Sequence, residues 1–249
     1  GNIEISSSNF HLDRSGNDNH GTLTDVVLTG NNDGTVSGSP DSITIREGLN
    51  SGKDGLGFPF KNPTGNVLRL NGVDEYVSIP PSDMSLSSQM TVEFWAKNND
   101  NGLSSDEYVV DQFDWDNNQR SFRILFDSAE KINFDVSGTG SGTINAYITD
   151  SAVSNIDNWR HYVIIFNNDS AKIYIDTTDT AITESTDGGV NSIFNNTTDN
   201  LRIGSAWSDS TSGASLWNGL LDEVRIYNRA LSATEVSKNY KHGKGKHKN

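Results

Sequence analysis

The chain has 249 residues, 33% of them hydrophobic, a formal net charge of −14 and no cysteine. That length suits one large β domain or two small ones, and the missing thiols exclude disulfides, thiolate metal sites and a cysteine nucleophile. The acidity disfavours nucleic acid and favours cations, and no stretch approaches the roughly 18 apolar residues of a membrane span.

Dense Asn, Asp, Ser, Thr and Gly favour short strands joined by polar loops. An acidic, cysteine-free β protein of this kind fits an extracellular, cell-surface or virion-surface setting, where calcium is plentiful and disulfides are optional. The chain begins at Gly1 rather than Met, which leaves room for a preceding signal, pro-segment or domain. Five lysines, Lys238, Lys241, Lys244, Lys246 and Lys248, fall in the last twelve residues with no acid among them. The rest of the chain is therefore five charges more negative than the whole.

In chain order, residues 1–66 read as irregular, with short strands at 3–5 and 42–45 between Gly/Asn/Asp clusters. Residues 67–70 and 76–79 flank Asn71-Gly72 and are expected to pair as a hairpin. Strands are expected at 91–96, 108–113, 121–126, 131–136, 143–149, 159–166, 171–175, 200–204 and 219–227. Repeated short strands with turn signals between them indicate a sandwich or barrel rather than a βαβ fold. Ser232 with Glu235 three residues later forms a capping box for one short helix running toward Tyr240. Residues 241–249 have no apolar side chain and are expected to be a basic, flexible tail, leaving a single domain over 1–240.

Several motifs could carry chemistry. Asp13, Ser15 and Asn17 place hard oxygens at alternate positions, Gly16 allows a tight bend, and carbonyls near His20 could complete a calcium shell. Strand parity puts Asp222 on the same face as Val224 and Ile226, so its inward carboxylate needs a partner, and a shared calcium would supply one. The candidate metal set is Asp13, Ser15, Asn17, His20 and Asp222. His20 itself reads better as a packing residue, since calcium prefers oxygen. The alternative is an Asx-rich turn that bonds its own backbone, with Asp222 paired to an arginine.

The acidic run from Asp111 to Asn118 resembles the opening of an EF-hand loop, but Gln119 occupies the glycine position and Leu125 the closing Glu position. A solvated turn is expected there. Glycosidase chemistry needs two carboxylates flanking one bond; no Glu-x-Asp-x-x-Glu run occurs, and Glu93 reads as a lone acid. No Gly-x-Ser-x-Gly elbow is present. His161 reads as a strand residue, and His242 and His247 as tail residues. Phe94, Trp159, Phe166 and Tyr174 are expected in the core, whereas Trp115 and Trp207 lie in polar loop-like stretches where an indole can stack on a sugar. With Asp114 and Asp116 they form the candidate glycan-binding set; Trp217 reads equally as a core plug. Asn168, Asn195 and Asn196 begin glycosylation sequons, which matter only in a host with that machinery.

Seven motifs occur together over residues 13–232: Asp13-Arg-Ser-Gly-Asn-Asp-Asn-His-Gly-Thr-Leu23, Leu70-Asn-Gly-Val-Asp-Glu-Tyr-Val-Ser-Ile79, Met90-Thr-Val-Glu-Phe-Trp95, Asn158-Trp-Arg-His-Tyr-Val163, Lys172-Ile-Tyr-Ile-Asp176, Leu201-Arg-Ile-Gly204 and Asn218-Gly-Leu-Leu-Asp-Glu-Val-Arg-Ile-Tyr-Asn-Arg-Ala-Leu-Ser232. In this order they resemble the laminin-G-like branch of the concanavalin A-like lectin/glucanase superfamily. The resemblance implies an all-β jelly-roll sandwich of two antiparallel sheets, often one structural calcium, and binding of glycans or proteins rather than catalysis. Two places depart from the pattern: Asp176-Thr177 stands where Asp-Gly is common, and the spacer from Asp25 to Asn66 is long. The function expected is a non-catalytic recognition module for a glycan or surface protein. The alternative is a self-assembling structural subunit of a capsid, fibre, sheath or surface layer.

Overall fold

The computed structural model describes residues 67–248, apart from 81–83, 85, 101 and 207–215, together with the backbone of six strands between residues 2 and 46. Those six are β1 (Asn2–Ile5), β2 (Phe10–His11), β3 (His20–Thr24), β4 (Val27–Gly30), β5 (Gly34–Ser37) and β6 (Ile43–Arg46). There follow β7 (Val67–Asn71), β8 (Tyr76–Ile79), β9 (Gln89–Asn98), β10 (Glu107–Asp114), β11 (Gln119–Phe126), β12 (Ile132–Gly140) and β13 (Ile144–Thr149). The last strands are β14 (Arg160–Asn167), β15 (Ser170–Ile175), β16 (Thr178–Thr180), β17 (Ile182–Thr186), β18 (Leu201–Ile203) and β19 (Asn218–Tyr227), before helix α1 (Ala233–Lys244).

Two antiparallel sheets face each other. One has the order β17-β13-β12-β11-β10-β18-β8-β3-β2, the other β16-β15-β14-β9-β19-β7-β4-β5, and β1 and β6 pair separately. The six strands described between residues 2 and 46 are more than the two short ones that the sequence implied there. β3 joins one sheet beside β8 and β4 the other beside β7.

The core fills the space between the sheets, with Leu70, Val77, Phe94, Phe122, Phe126, Phe134, Tyr162, Phe166 and Trp217 each 1% exposed or less. Alternation supplies it: along β9, Val92, Phe94 and Ala96 join this cluster, while Glu93 and Trp95 point the other way. Those outward residues are nevertheless buried, because α1 lies across the outer face of the second sheet. Val163, Ile165, Tyr174, Leu231 and Val236 form a second apolar cluster beneath it. Tyr174 is buried as expected, in this second cluster rather than between the sheets.

Three expectations change. The segments 67–70 and 76–79 do not form a hairpin: β7 pairs with β19 and β4, β8 with β18 and β3. Asn71 Oδ1 accepts from the amides of Val73 and Asp74, and Gly72 sits at φ +71°, so this turn carries the chain from one sheet to the other.

In β19 the register slips between Asp222 and Arg225, where Glu223 adopts φ +52°. A bulge reverses the side-chain alternation. Leu221 is in the core before it, and Val224 and Ile226 pack on the core after it, so Asp222 faces outward, opposite to the parity reading.

The tail also differs. α1 continues to Lys244, Gly243 is buried, and His247 is 5% exposed. The expected mobile segment is a docked one.

Candidate functional site

The hairpin of β10 and β11 carries Trp115, the most exposed large aromatic among the described residues. Asp114 ends β10 and closes the turn: its Oδ1 accepts from the amides of Asp116 (2.7 Å) and Asn117 (3.2 Å), and its Oδ2 from Asn117 Nδ2 (2.6 Å). Asn118 completes the turn at φ +56°. Asp114 is 1% exposed, so its carboxylate is committed to the turn, which is the self-bonded Asx arrangement. Asp116 at the tip is exposed.

Trp115, between them, is 47% exposed and its ring is held in place. The Arg120 guanidinium lies 4.2 Å from the indole centroid and that of Arg123 lies 5.3 Å away. Phe113 meets the ring edge-on at 5.3 Å and 65°, and Arg120 Nη2 donates to the Trp115 carbonyl at 3.0 Å. Cation–π and edge contacts of this kind fix an aromatic ring without covering both of its faces.

Behind Trp115 a row of charges crosses the outer face of the first sheet. Cross-strand register sets Arg202 beside Asp111, Asp111 beside Arg123, and Arg123 beside Asp135. Opposite charges on directly facing residues stabilise a sheet. Arg123 donates to Asp135 through Nε (2.6 Å) and to the Tyr108 hydroxyl through Nη1 (3.2 Å). Burial would favour loss of the Arg123 proton, but Asp135, Tyr108 and Asp111 outweigh it and raise its pKa. Asp111 Oδ1 accepts from the Phe113 amide at 2.7 Å. Arg202 lies over Tyr76 at 5.2 Å and donates to the Ala206 carbonyl at 3.1 Å.

The proposed calcium ligands are not brought together among the described residues. Asp13, Ser15 and Asn17 lie outside those residues, as does Trp207, and of His20 only the backbone, at the start of β3, is described. Asp222 does not fit a calcium shell. Its Oδ2 lies 2.8 Å from His247 Nε2 and its Oδ1 accepts from the Glu223 amide at 2.8 Å. The bulge turns this carboxylate toward α1, and a histidine from the expected tail is its partner.

Sequence reasoning missed the polar network beneath α1. Glu93, 0% exposed, accepts from Arg225 Nη1 (2.9 Å), Asn239 Nδ2 (2.8 Å) and the Tyr227 hydroxyl (3.2 Å), and lies 3.2 Å from His161 Nε2. Burial alone would raise its pKa, but the His161 and Asn239 bonds and the His161 and Arg225 charges prevail and lower it. Beside it, His247 stacks on Trp95 at 4.3 Å and 12° and leans on Trp159 at 4.8 Å. Trp159 is therefore an outer-face residue rather than the core residue expected. A buried acid at an outward strand position was the one available signal, since such a group needs partners.

A family model described as the concanavalin A-like lectin/glucanases superfamily, laminin-G type, matches residues 71–237. The chain belongs to this laminin-G-like family. No curated protein matches it. Solved structures similar to this laminin-G-like chain include the binding domain of Paraclostridial Mosquitocidal Protein 1 (18% identity, TM-score 0.54, covering 88% of this chain and 51% of that one). The binding domain of botulinum neurotoxin serotype G is another (14%, 0.52, 71% and 42%). A third is domain 4 of AbnA, a GH43 extracellular arabinanase from Geobacillus stearothermophilus, in complex with arabinotriose (19%, 0.52, 94% and 95%). The chain spans about half the length of the two toxin binding domains. At these identities the likeness establishes the fold.

Proposed function

We propose that this laminin-G-like domain is a non-catalytic glycan-binding module of an extracellular or surface protein, and that it seats a sugar ring on Trp115. The observation that carries the reading is an indole 47% exposed at a hairpin tip and held by Arg120, Arg123 and Phe113. A pre-fixed aromatic face loses little side-chain entropy on binding, and the polar rim of Asp116 and Asn117 offers hydrogen-bonding groups to sugar hydroxyls. The arabinotriose complex of a domain with the same fold and nearly the same extent supports the choice of ligand class. The carboxylates nearest the platform argue for binding over hydrolysis. Asp114 closes its turn and Asp111 and Asp135 sit in the charge row, which leaves Asp116 beside Trp115 without a second free carboxylate among the described residues.

A structural calcium on Asp13, Ser15, Asn17 and the backbone near His20 remains part of the proposal, without Asp222. A glycan array with and without chelator, followed by calorimetry on Trp115→Ala, tests the sugar site. Loss of the stacking face should weaken binding by about tenfold, or ~1.4 kcal/mol. Unchanged affinity in that variant removes Trp115 from the site.

A further inference from the structure

We infer that the docked C-terminal helix is an interaction surface for a second copy of this chain, and that it takes the acidic edge of the partner formed around β17. Helix α1 is anchored through Val236, Asn239, Gly243 and His247, and its other side carries exposed Lys238, Lys241 and Lys244, followed by Lys248. Among the described residues, Lys246 alone of the five terminal lysines has a carboxylate partner, Glu223 at 2.5 Å. Lys244 lies over the Tyr240 ring at 5.3 Å. None of Lys238, Lys241, Lys244 and Lys248 has a carboxylate partner among the described residues. In a chain of net charge −14 this is a segregated cationic face, and docking of the helix makes it a fixed one. A shallow groove lined by Ala233, Thr234, Ser237, Lys238 and Lys241 runs along it.

The complementary surface lies on the same molecule but elsewhere. β17 is the outermost strand of the first sheet, and Asp150, Asp169, Glu184 and Asp187 on it or next to it are exposed. Tyr147 brings two of them together: it faces Glu184 across β13 and β17, and its hydroxyl donates to the Asp169 carbonyl at 3.0 Å. Asp150 accepts from Thr183 Oγ1 at 2.8 Å, so it sits against the same strand. No ion pair neutralises these four among the described residues. A row of carboxylates blocks one edge strand from pairing with another, so this edge accepts a cationic surface instead. Helix and edge are different patches, and their pairing is heterologous and propagates head to tail. Charge complementarity of this kind sets register and association rate and is screened by salt.

Sedimentation velocity on the full chain over a concentration series, at low and at high salt, tests the inference. The mass average should rise with concentration at low salt and return to monomer at high salt. Lys238→Glu with Lys241→Glu, and separately Glu184→Lys with Asp187→Lys, should each abolish the rise while circular dichroism stays unchanged. An equimolar mixture of the two variants should restore it. A wild type that stays monomeric throughout, or association that survives either variant, overturns the inference. So does a monomer whose lysine face instead binds inorganic polyphosphate, because the surface would then serve a polyanion.

Discussion

Glu93 shows how much one side chain can carry. It is fully buried with Arg225, Tyr227, Asn239 and His161 around it. Removing one member of a buried charged set leaves the others unpaired, so Glu93→Ala should cost roughly 3–5 kcal/mol, read by urea unfolding; Glu93→Gln, which keeps the shape, should cost less. Because its pKa is lowered in the folded chain from the ordinary 4.5, its contribution is fully present above about that pH. It is lost as pH falls through the lowered folded value. The wild type should lose stability below pH ~4.5 more steeply than Glu93→Gln, and parallel acid profiles would contradict this role. Sequence reading left Glu93 a lone acid because its partners lie up to 146 positions away.

At the scale of elements, α1 was legible at its start and not at its end. Ser232 accepts from the Glu235 amide and Glu235 Oε2 accepts from the Ser232 amide, as the capping box predicts. The Arg229 bond and the two Ser232 bonds lower the Glu235 pKa to about 2. The lack of apolar side chains after Tyr240 argued for an end there, and Gly243 adds about 1 kcal/mol of cost against alanine within a helix. The structure uses that glycine for close approach: a Cβ there would overlap the Trp95 indole. Gly243→Leu should therefore lower stability and raise amide exchange across 233–248, even though leucine is the better helix former. A rise in stability would mean that the helix does not pack on Trp95.

Deleting 241–249 should also destabilise, because it removes Gly243, the His247 stack and the Lys246–Glu223 pair. In a chain of this size each kcal/mol is worth roughly 2–4 °C, and a fall in Tm of at least about 5 °C is expected. An unchanged Tm would restore the mobile tail.

For the whole molecule, β9 pairs with both β14 and β19, so segments 89–98, 160–167 and 218–227 are held in one sheet. These three segments should unfold together. The calcium proposed on Asp13, Ser15 and Asn17 would act at this scale as a ligand of the folded state, worth RT ln(1 + [L]/Kd), or about 2.7 kcal/mol at a hundredfold excess over Kd. Thermal melts in calcium and in chelator should show this increment in the wild type and its loss in Asp13→Ala. Asp222→Asn should destabilise by about 1–3 kcal/mol in both buffers alike, since its partner is His247. A loss confined to calcium would return Asp222 to the metal.

The strand positions from residue 67 on, apart from β16 and β17, the sandwich class and the helix start were readable in the sequence because they depend on alternation and local hydrogen bonding, which a residue's near neighbours determine. The family likeness was readable for a related reason: its motifs mark turns and strand ends. Tertiary structure decided which strands pair, since Asn71-Gly72 looks the same whether it closes a hairpin or carries the chain between sheets. It also decided the direction of Asp222, because the single residue Glu223 at φ +52° reverses every later side chain in β19. The fate of the basic terminus was settled there too. Helical and ring contacts within 233–248 do not by themselves hold 241–248 to the sheet; Trp95, Trp159, Asp222 and Glu223, brought together from other strands and the segment before β14, make docking favourable.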